Sequence, residues 1–180
     1  MKLAKLNYKF ANEKLLYQAL TTPSSHRSVK EHYQRLEFLG DAVLGLVIAQ
    51  KLIELYPEDN EGSLAKKRSS LVNQQLLAKI AVELELGEAL KLNTVAKYHP
   101  DRHNPAILAD VLEAVIGAIY LDSNMEEAAK FIEENWRDYL LGLTATPQDP
   151  RSALQEWAQS KHLGLPLYQT LSISGPDHAP

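Results

Sequence analysis

Two pairs of acidic residues lie inside the two most apolar stretches of the 180-residue chain. Glu37 and Asp41 are four residues apart in one stretch, and Asp110 and Glu113 are three residues apart in the other. Either spacing places both carboxylates on one face of an α-helix. Burying an ionised carboxylate is costly unless a cation or a metal compensates its charge. The two pairs are therefore candidates for a chemical role.

Three interpretations of these acids are open from the residues alone. Each pair could lie on a solvated helix face, because neighbouring like charges on a helix destabilise it by only a few tenths of a kcal/mol. Arg35 or Arg68 could form salt bridges with them. All four could bind a metal, and an all-oxygen ligand set selects a hard cation such as Mg²⁺ or Mn²⁺. The apolar flanks favour this metal site, which suits hydrolysis of a phosphodiester.

Other site chemistries lack their required residues. Gly40 and Ile116 stand three residues after Glu37 and Glu113, where a di-iron site of the ferritin type needs His. No glycine-rich loop is followed by Lys and Ser or Thr, as an NTPase would require. The absence of Cys excludes disulfides and thiolate metal sites. The six histidines are scattered, and we expect them at the surface or at helix caps.

Composition supports a folded domain and an intracellular location. Hydrophobic residues make up 45% of the chain and charged residues 23%, enough apolar material for a core. No apolar run approaches the roughly 20 residues of a membrane span, and the first residues lack the apolar segment of a signal peptide. These features predict a cytoplasmic protein without a membrane partner. On composition alone, the net charge of −4 makes the chain a poor candidate for nucleic-acid binding.

Helical periodicity dominates the part of the chain that carries the acids. Apolar spacing, Asn caps and Pro or Gly stops predict helices at about 12–22, 31–55, 63–71, 73–86, 104–120 and 124–141. Gly87 is expected to close the fourth of them. The helix that opens at Asn104 and Pro105 is apolar nearly all round and should be central. No convincing strand precedes residue 142, so the fold class is predicted to be all-α.

The composition changes after residue 141. Residues 142–150 contain few large side chains and are predicted to form a linker. Beyond it, 151–161 has helical character and 167–173 alternates as a strand does. One helix and one strand cannot bury a core alone. We therefore interpret 151–180 as the opening of a second domain.

Four segments, residues 19–24 (ALTTPS), 34–44 (QRLEFLGDAVL), 60–64 (NEGSL) and 107–122, resemble, in this order along the chain, the motifs of the bacterial ribonuclease III family. Residues 34–44, QRLEFLGDAVL, are similar to its signature E-R-L-E-F-L-G-D-x-V-L, and 107–122 resemble its second acidic block. Residues 60–64 resemble its D-E-G-x-L segment and 19–24 its A-L-T-H-x-S segment. Gln34 replaces the usual Glu, and Thr22 replaces the usual His. Residues 149–157, 165–168 and 175–178 resemble the first part of a double-stranded-RNA-binding domain.

The resemblance implies an all-α endonuclease domain (1–141), a linker (142–150) and a partial α+β double-stranded-RNA-binding domain (151–180). It implies a homodimer that cleaves double-stranded RNA to 5′-phosphate and 3′-hydroxyl ends in rRNA, mRNA or small-RNA processing. The implied cofactor is Mg²⁺, with Mn²⁺ as a substitute. The implied residues are Glu37, Asp41, Asp110 and Glu113 for the metal, Asp41 and Glu113 for catalysis, Glu61 and Gln34 as auxiliaries, and Gln155, Glu156 and His178 for RNA.

The site acids change what the net charge means. Setting aside Glu61 and the four principal acids leaves 18 of the 23 acidic residues against 19 basic ones. The acidic balance is thus in part a metal site, and it does not argue against RNA. Lys66, Lys67 and Arg68 could contact phosphates, or they could form an ordinary solvated helix face.

Two further expectations concern assembly and activity. Phe38, Leu44 and Ile48 point away from a single apolar stripe and offer hydrophobic surface for a dimer, unless they face helices of the same subunit. The alternative function is a non-catalytic double-stranded-RNA-binding or ribosome-associated member of the same fold. The presence of all four principal acids favours the enzyme.

Overall fold

A computed structural model describes residues 5–25, 28, 30–92, 100–143, 154–155, 157–159, 161–164 and 166–167. The chain divides into two compact units, Met1–Thr144 and Ala145–Pro180. The helices described in the first unit are α1 (Glu13–Ala19), α2 (Gln34–Leu55), α3 (Glu61–Leu71), α4 (Gln74–Glu83), α5 (Leu86–Ala89), α6 (Pro105–Asp122) and α7 (Met125–Leu141), with a 3₁₀ turn at Pro100–His103.

Asparagine side chains begin most of these helices. Asn12, Asn60, Asn73, Asn104 and Asn124 each accept a hydrogen bond from a backbone N–H in the first turn, at 2.9–3.2 Å. Such a cap stabilises a helix by about 1 kcal/mol, because it satisfies an otherwise unpaired donor. The six predicted helices are confirmed, with ends that shift by up to three residues.

The region around Gly87 differs from its prediction. Helix α4 ends at Glu83, and Glu85 adopts a left-handed backbone conformation with φ of 59°. Gly87 therefore lies inside the separate short helix α5 and does not close α4, so that expectation was wrong. The glycine is needed because a Cβ there would overlap the backbone carbonyl of Arg102.

Helix α6 is the centre of the first unit. Its residues from Val111 to Ile119, apart from Glu113, are fully buried, as the sequence predicted. The backbone of helix α2 packs directly against the backbone of α6, because each helix has a glycine where the two meet. A Cβ on Gly40 would overlap the carbonyl oxygen of Glu113, and one on Gly117 would overlap that of Leu36. The two helices that carry the acid pairs are thereby held in direct contact.

The all-α prediction is confirmed for the described part of the chain, where the one pairing of strand type is an isolated bridge between Thr21 and Lys91. In the second unit, residues 154–155 and 157–159 are helical. Most of the predicted strand at 167–173 lies outside the described residues, so the α+β character of this unit and the domain limits stay predictions. No helix among the described residues is long and apolar enough to cross a membrane.

Candidate active site

The contact between α2 and α6 brings the two acid pairs to one place. Gly40, which touches the backbone of Glu113, lies between Glu37 and Asp41 on α2. Asp110 and Glu113 lie on the matching side of α6. The charges of Asp41, Glu37 and Asp110 all act on Glu113, so the four carboxylates form one electrostatic cluster.

Three carboxyl groups of this cluster, those of Glu37, Asp110 and Glu113, have raised pKa values. Burial, followed by repulsion from Asp41, Glu37 and Asp110, raises the pKa of Glu113 to about 8. Burial and the charges of Asp110 and Asp41 raise the pKa of Glu37 above its usual range. Burial also raises the pKa of Asp110. The cluster thus carries uncompensated negative charge when it is ionised.

The alternatives to a metal site fit this geometry less well. Glu37, Asp110 and Glu113 are partly buried, which does not match a solvated helix face, although Asp41 is exposed. Among the ion pairs between described residues, none involves these four acids, so Arg35 and Arg68 do not neutralise them.

The donor set fits a hard divalent cation. It offers only carboxylate oxygens, the ligands that Mg²⁺ and Mn²⁺ prefer, and a cation would relieve the repulsion that raises the pKa of Glu113. In the described part of the chain, no three His, Cys, Asp or Glu side chains yet stand in the geometry of a metal site. The four carboxylates are thus not arranged as a ligand shell in this structure, and Asp41 is the exposed member of the four.

Tyr33 is a site residue that the sequence interpretation missed. Its hydroxyl donates a hydrogen bond to Oδ2 of Asp110 at 3.1 Å, across 77 residues of sequence. The feature of the sequence that could have identified it is an aromatic residue immediately before α2. The other long helices of the described chain have Asn at this N-cap position.

The two predicted auxiliaries lie at the starts of their helices. Gln34 is the first residue of α2 and Glu61 the first of α3, and both are exposed. Glu61 lines a cavity of about 260 Å³ together with Ile53, Leu64 and Arg68. It is not among the groups whose charge raises the pKa of Glu113, so the structure does not bring it into the carboxylate cluster.

Two expectations about positively charged or titratable side chains need correction. Lys67 is 4% exposed, forms an ion pair with Asp59 and lies 4.3 Å from the ring centre of Tyr56, so it is not free to contact phosphate. Lys66 and Arg68 are exposed. His32 is 4% exposed rather than at the surface, because the turn before α2 folds inward against α1.

The hydrophobic positions proposed for a dimer separate into two groups. Leu44 and Ile48 are fully buried in the subunit's own core, so the expectation that they offer free surface was wrong. Phe38 is 81% exposed, as expected. Gln155 is exposed on a helical segment, whereas Glu156 and His178 lie outside the described residues.

Comparison with known proteins agrees with the fold and with the motifs. A family model described as ribonuclease-III-like matches residues 12–140. A ribonuclease 3 from Wolbachia sp. subsp. Brugia malayi is 38% identical over 97% of this chain and 74% of its own length. A ribonuclease 3 from Ehrlichia canis is 42% identical over 97% of this chain and 78% of its own length.

Solved structures give the same result. The nuclease domain of ribonuclease III from Campylobacter jejuni, in a structure concerned with a region involved in dimer formation, superposes with a TM-score of 0.68. It is 40% identical and covers 74% of this chain and 95% of its own. A Dicer from Giardia intestinalis is 26% identical with a TM-score of 0.59, over 79% of this chain and 19% of its own.

The chain belongs to the ribonuclease III family. It is an endoribonuclease, as the resemblance implied.

Proposed function

We propose that this endoribonuclease cleaves double-stranded RNA with Mg²⁺, for which Mn²⁺ can substitute, held by Glu37, Asp41, Asp110 and Glu113. The observation that carries the proposal is the cluster of mutually repelling, partly buried carboxylates on α2 and α6. Such a cluster is costly in a fold unless it binds a cation. The products are proposed to carry 5′-phosphate and 3′-hydroxyl ends, and the substrates to be precursors of rRNA, mRNA or small RNA.

Within this site the residues have different tasks. When bound, Mg²⁺ would lower the pKa of a water molecule and stabilise charge on the scissile phosphate and its leaving oxygen. Glu113 interacts electrostatically with the other three acids and is the ligand whose loss affects the whole cluster. Asp41 is exposed at its rim, where it can meet both cation and RNA. Gln34 and Glu61 are proposed as auxiliaries that approach the phosphate from the helix starts.

Duplex RNA is proposed to bind through its backbone. Lys66 and Arg68 are exposed on α3, the helix that begins at Glu61, and can contact phosphates. Gln155, Glu156 and His178 are proposed to contact the minor groove from the second unit. Selection of RNA over DNA would then follow from the A-form shape and the 2′-hydroxyls.

A homodimer is proposed to form through α2. Phe38, Leu46 and Ile53 are 81%, 57% and 60% exposed and lie on one side of that helix. An exposed apolar stripe on a soluble helix is typical of an interaction surface. The related Campylobacter jejuni domain, whose structure concerns a region involved in dimer formation, supports the formation of a dimer.

The test is the substitution Glu113→Gln, with cleavage of a perfect RNA duplex in Mg²⁺ as the measurement. Cleavage should fall by more than the roughly 10–100-fold that outer contacts of metal sites contribute. Duplex binding, measured by gel shift, should not change. Glu126→Gln, which removes an exposed acid in the first turn of α7, is the matched control.

Near-normal cleavage by Glu113→Gln would refute the site. Duplex binding without cleavage by the unaltered chain would favour the non-catalytic alternative.

A further inference from the structure

We propose that Tyr33 is a positioning residue of the metal site, whose hydroxyl holds Oδ2 of Asp110 so that Oδ1 is the oxygen available to a cation. The inference rests on the proposed function, because it assumes that Asp110 is a ligand. Loss of a residue that orients a metal ligand in this way typically lowers metal affinity by roughly 10–100-fold.

The contact itself is well formed. The phenol oxygen and Oδ2 of Asp110 are 3.1 Å apart, within hydrogen-bonding distance, and Tyr33 is only 5% exposed. A buried hydroxyl that donates to one carboxylate oxygen fixes the orientation of that carboxylate, and it leaves the other oxygen, Oδ1, without this contact.

The choice of residue at this position points to the same role. Tyr33 is the N-cap residue of α2, yet its side chain makes no capping hydrogen bond. At α1, α3, α4, α6 and α7 the N-cap is an Asn that does make one. Helix α2 thus lacks a favourable cap, and the side chain is directed to α6 instead.

The hydroxyl is not needed to hold the chain in place before α2. The backbone N–H of Tyr33 donates to the carbonyl of Thr21 at 3.0 Å, and the side-chain amide of Gln18 donates to the carbonyl of His32 at 3.3 Å. These bonds already tie the turn to α1 and to the segment that follows it. What the phenol oxygen adds is the orientation of Asp110.

The experiment compares Tyr33→Phe with Tyr8→Phe in the full chain. Tyr8 is a matched control, because its hydroxyl also donates to an aspartate of α6, Asp122 Oδ2, at 2.9 Å. Asp122 is the last residue of α6, whereas Asp110 lies near the start of that helix. Mn²⁺ binding without RNA is measured from the electron paramagnetic resonance of the free ion. Tyr33→Phe should weaken binding about 10-fold, and Tyr8→Phe should not weaken it. Cleavage by Tyr33→Phe should recover at high Mg²⁺.

Asp110→Asn separates the possible failures. If it weakens Mn²⁺ binding but Tyr33→Phe does not, the role of Tyr33 is refuted and the proposed metal site stands. If neither weakens it, the assignment of Asp110 is wrong as well. Equal losses in Tyr33→Phe and Tyr8→Phe would indicate a general effect on α6 and would also overturn the proposal. A supporting result is that Tyr33→Phe causes no further loss in the Asp110→Asn background, as expected if Tyr33 acts only through Asp110.

Discussion

Burial and repulsion from neighbouring acids raise the pKa of Glu113 to about 8, within the range of ordinary buffers. Its pKa in the folded chain lies above its ordinary value of 4.5, so the folded state holds this proton more tightly than the unfolded state. The contribution of this proton to the free energy of unfolding is fully present below about pH 4.5 and is lost as the pH rises through about 8. Glu37 and Asp110 shift in the same direction.

We therefore predict that the metal-free chain becomes less stable between pH 5 and pH 9 through these acids. Urea denaturation in the presence of EDTA at several pH values measures the effect. Glu113→Gln should flatten the dependence, because its side chain cannot ionise. An equally steep loss of stability in that variant would show that Glu113 is not responsible.

Metal removal should have a larger effect at high pH than at low pH. A cation competes with the protons of the cluster, so its affinity rises as the carboxyl groups ionise. We expect Mg²⁺ to raise the melting temperature more at pH 8.5 than at pH 6, since binding to the folded state stabilises it by mass action. Glu113→Gln is the control. A Mg²⁺-induced shift that does not depend on pH would contradict the coupling.

At the scale of elements, the site depends on how closely α2 approaches α6. Gly40→Ala would place a methyl group on the carbonyl oxygen of Glu113, and a backbone clash cannot be relieved by turning a side chain. We expect a loss of at least about 2–3 kcal/mol in the free energy of unfolding, together with loss of cleavage. Urea denaturation and the duplex assay measure the two effects.

Gly45→Ala is the matched control on the same helix. A Cβ at Gly45 meets nothing within 4 Å, so the substitution should stabilise α2 by roughly 0.5–1 kcal/mol through its better helix propensity. If both alanine variants had the same stability, the close approach at Gly40 would not be what holds the two helices.

The sequence predicts structural features that depend on neighbouring residues, but not those that depend on contacts between distant residues. The caps at Asn12 and Asn104 depend on neighbouring residues, and the central position of α6 depends on apolar periodicity. All three were predicted. The break at Glu85 was not, because it depends on a left-handed residue and on Arg102, far along the chain. The burial of Lys67 likewise depends on Asp59 and Tyr56, which no spacing rule links to it.

The same distinction applies to the site. The acid pairs were predicted because each pair lies within one helix, where carboxylates three or four residues apart share a face. The bond from Tyr33 to Asp110 spans 77 residues, and only the packing of α2 on α6 creates it. The side chains of Leu44 and Ile48 were assigned to the wrong surface for the same reason. Their burial depends on which helices surround α2.

At the scale of the whole molecule, the proposed dimer depends on the exposed stripe of α2. Phe38→Glu should convert the chain to a monomer in sedimentation at micromolar concentration, because a charge would be buried in the interface. The fold should survive, since Phe38 is 81% exposed within one subunit. Val82→Glu is the control, as Val82 is 59% exposed on α4. A monomeric unaltered chain, or a dimeric Phe38→Glu variant, would refute this surface.

The environment of Trp136 provides an optical probe of the first unit. Trp136 has no exposed surface and donates its indole N–H to the carbonyl of Leu71 at 2.8 Å, which links α7 to the end of α3. The other tryptophan, Trp157, lies in the second unit and is 55% exposed. A Trp157→Phe variant would therefore contain a single tryptophan, whose emission moves to longer wavelength only when the helices around it separate. Unfolding of the catalytic unit could then be followed in the full chain without interference from its tail.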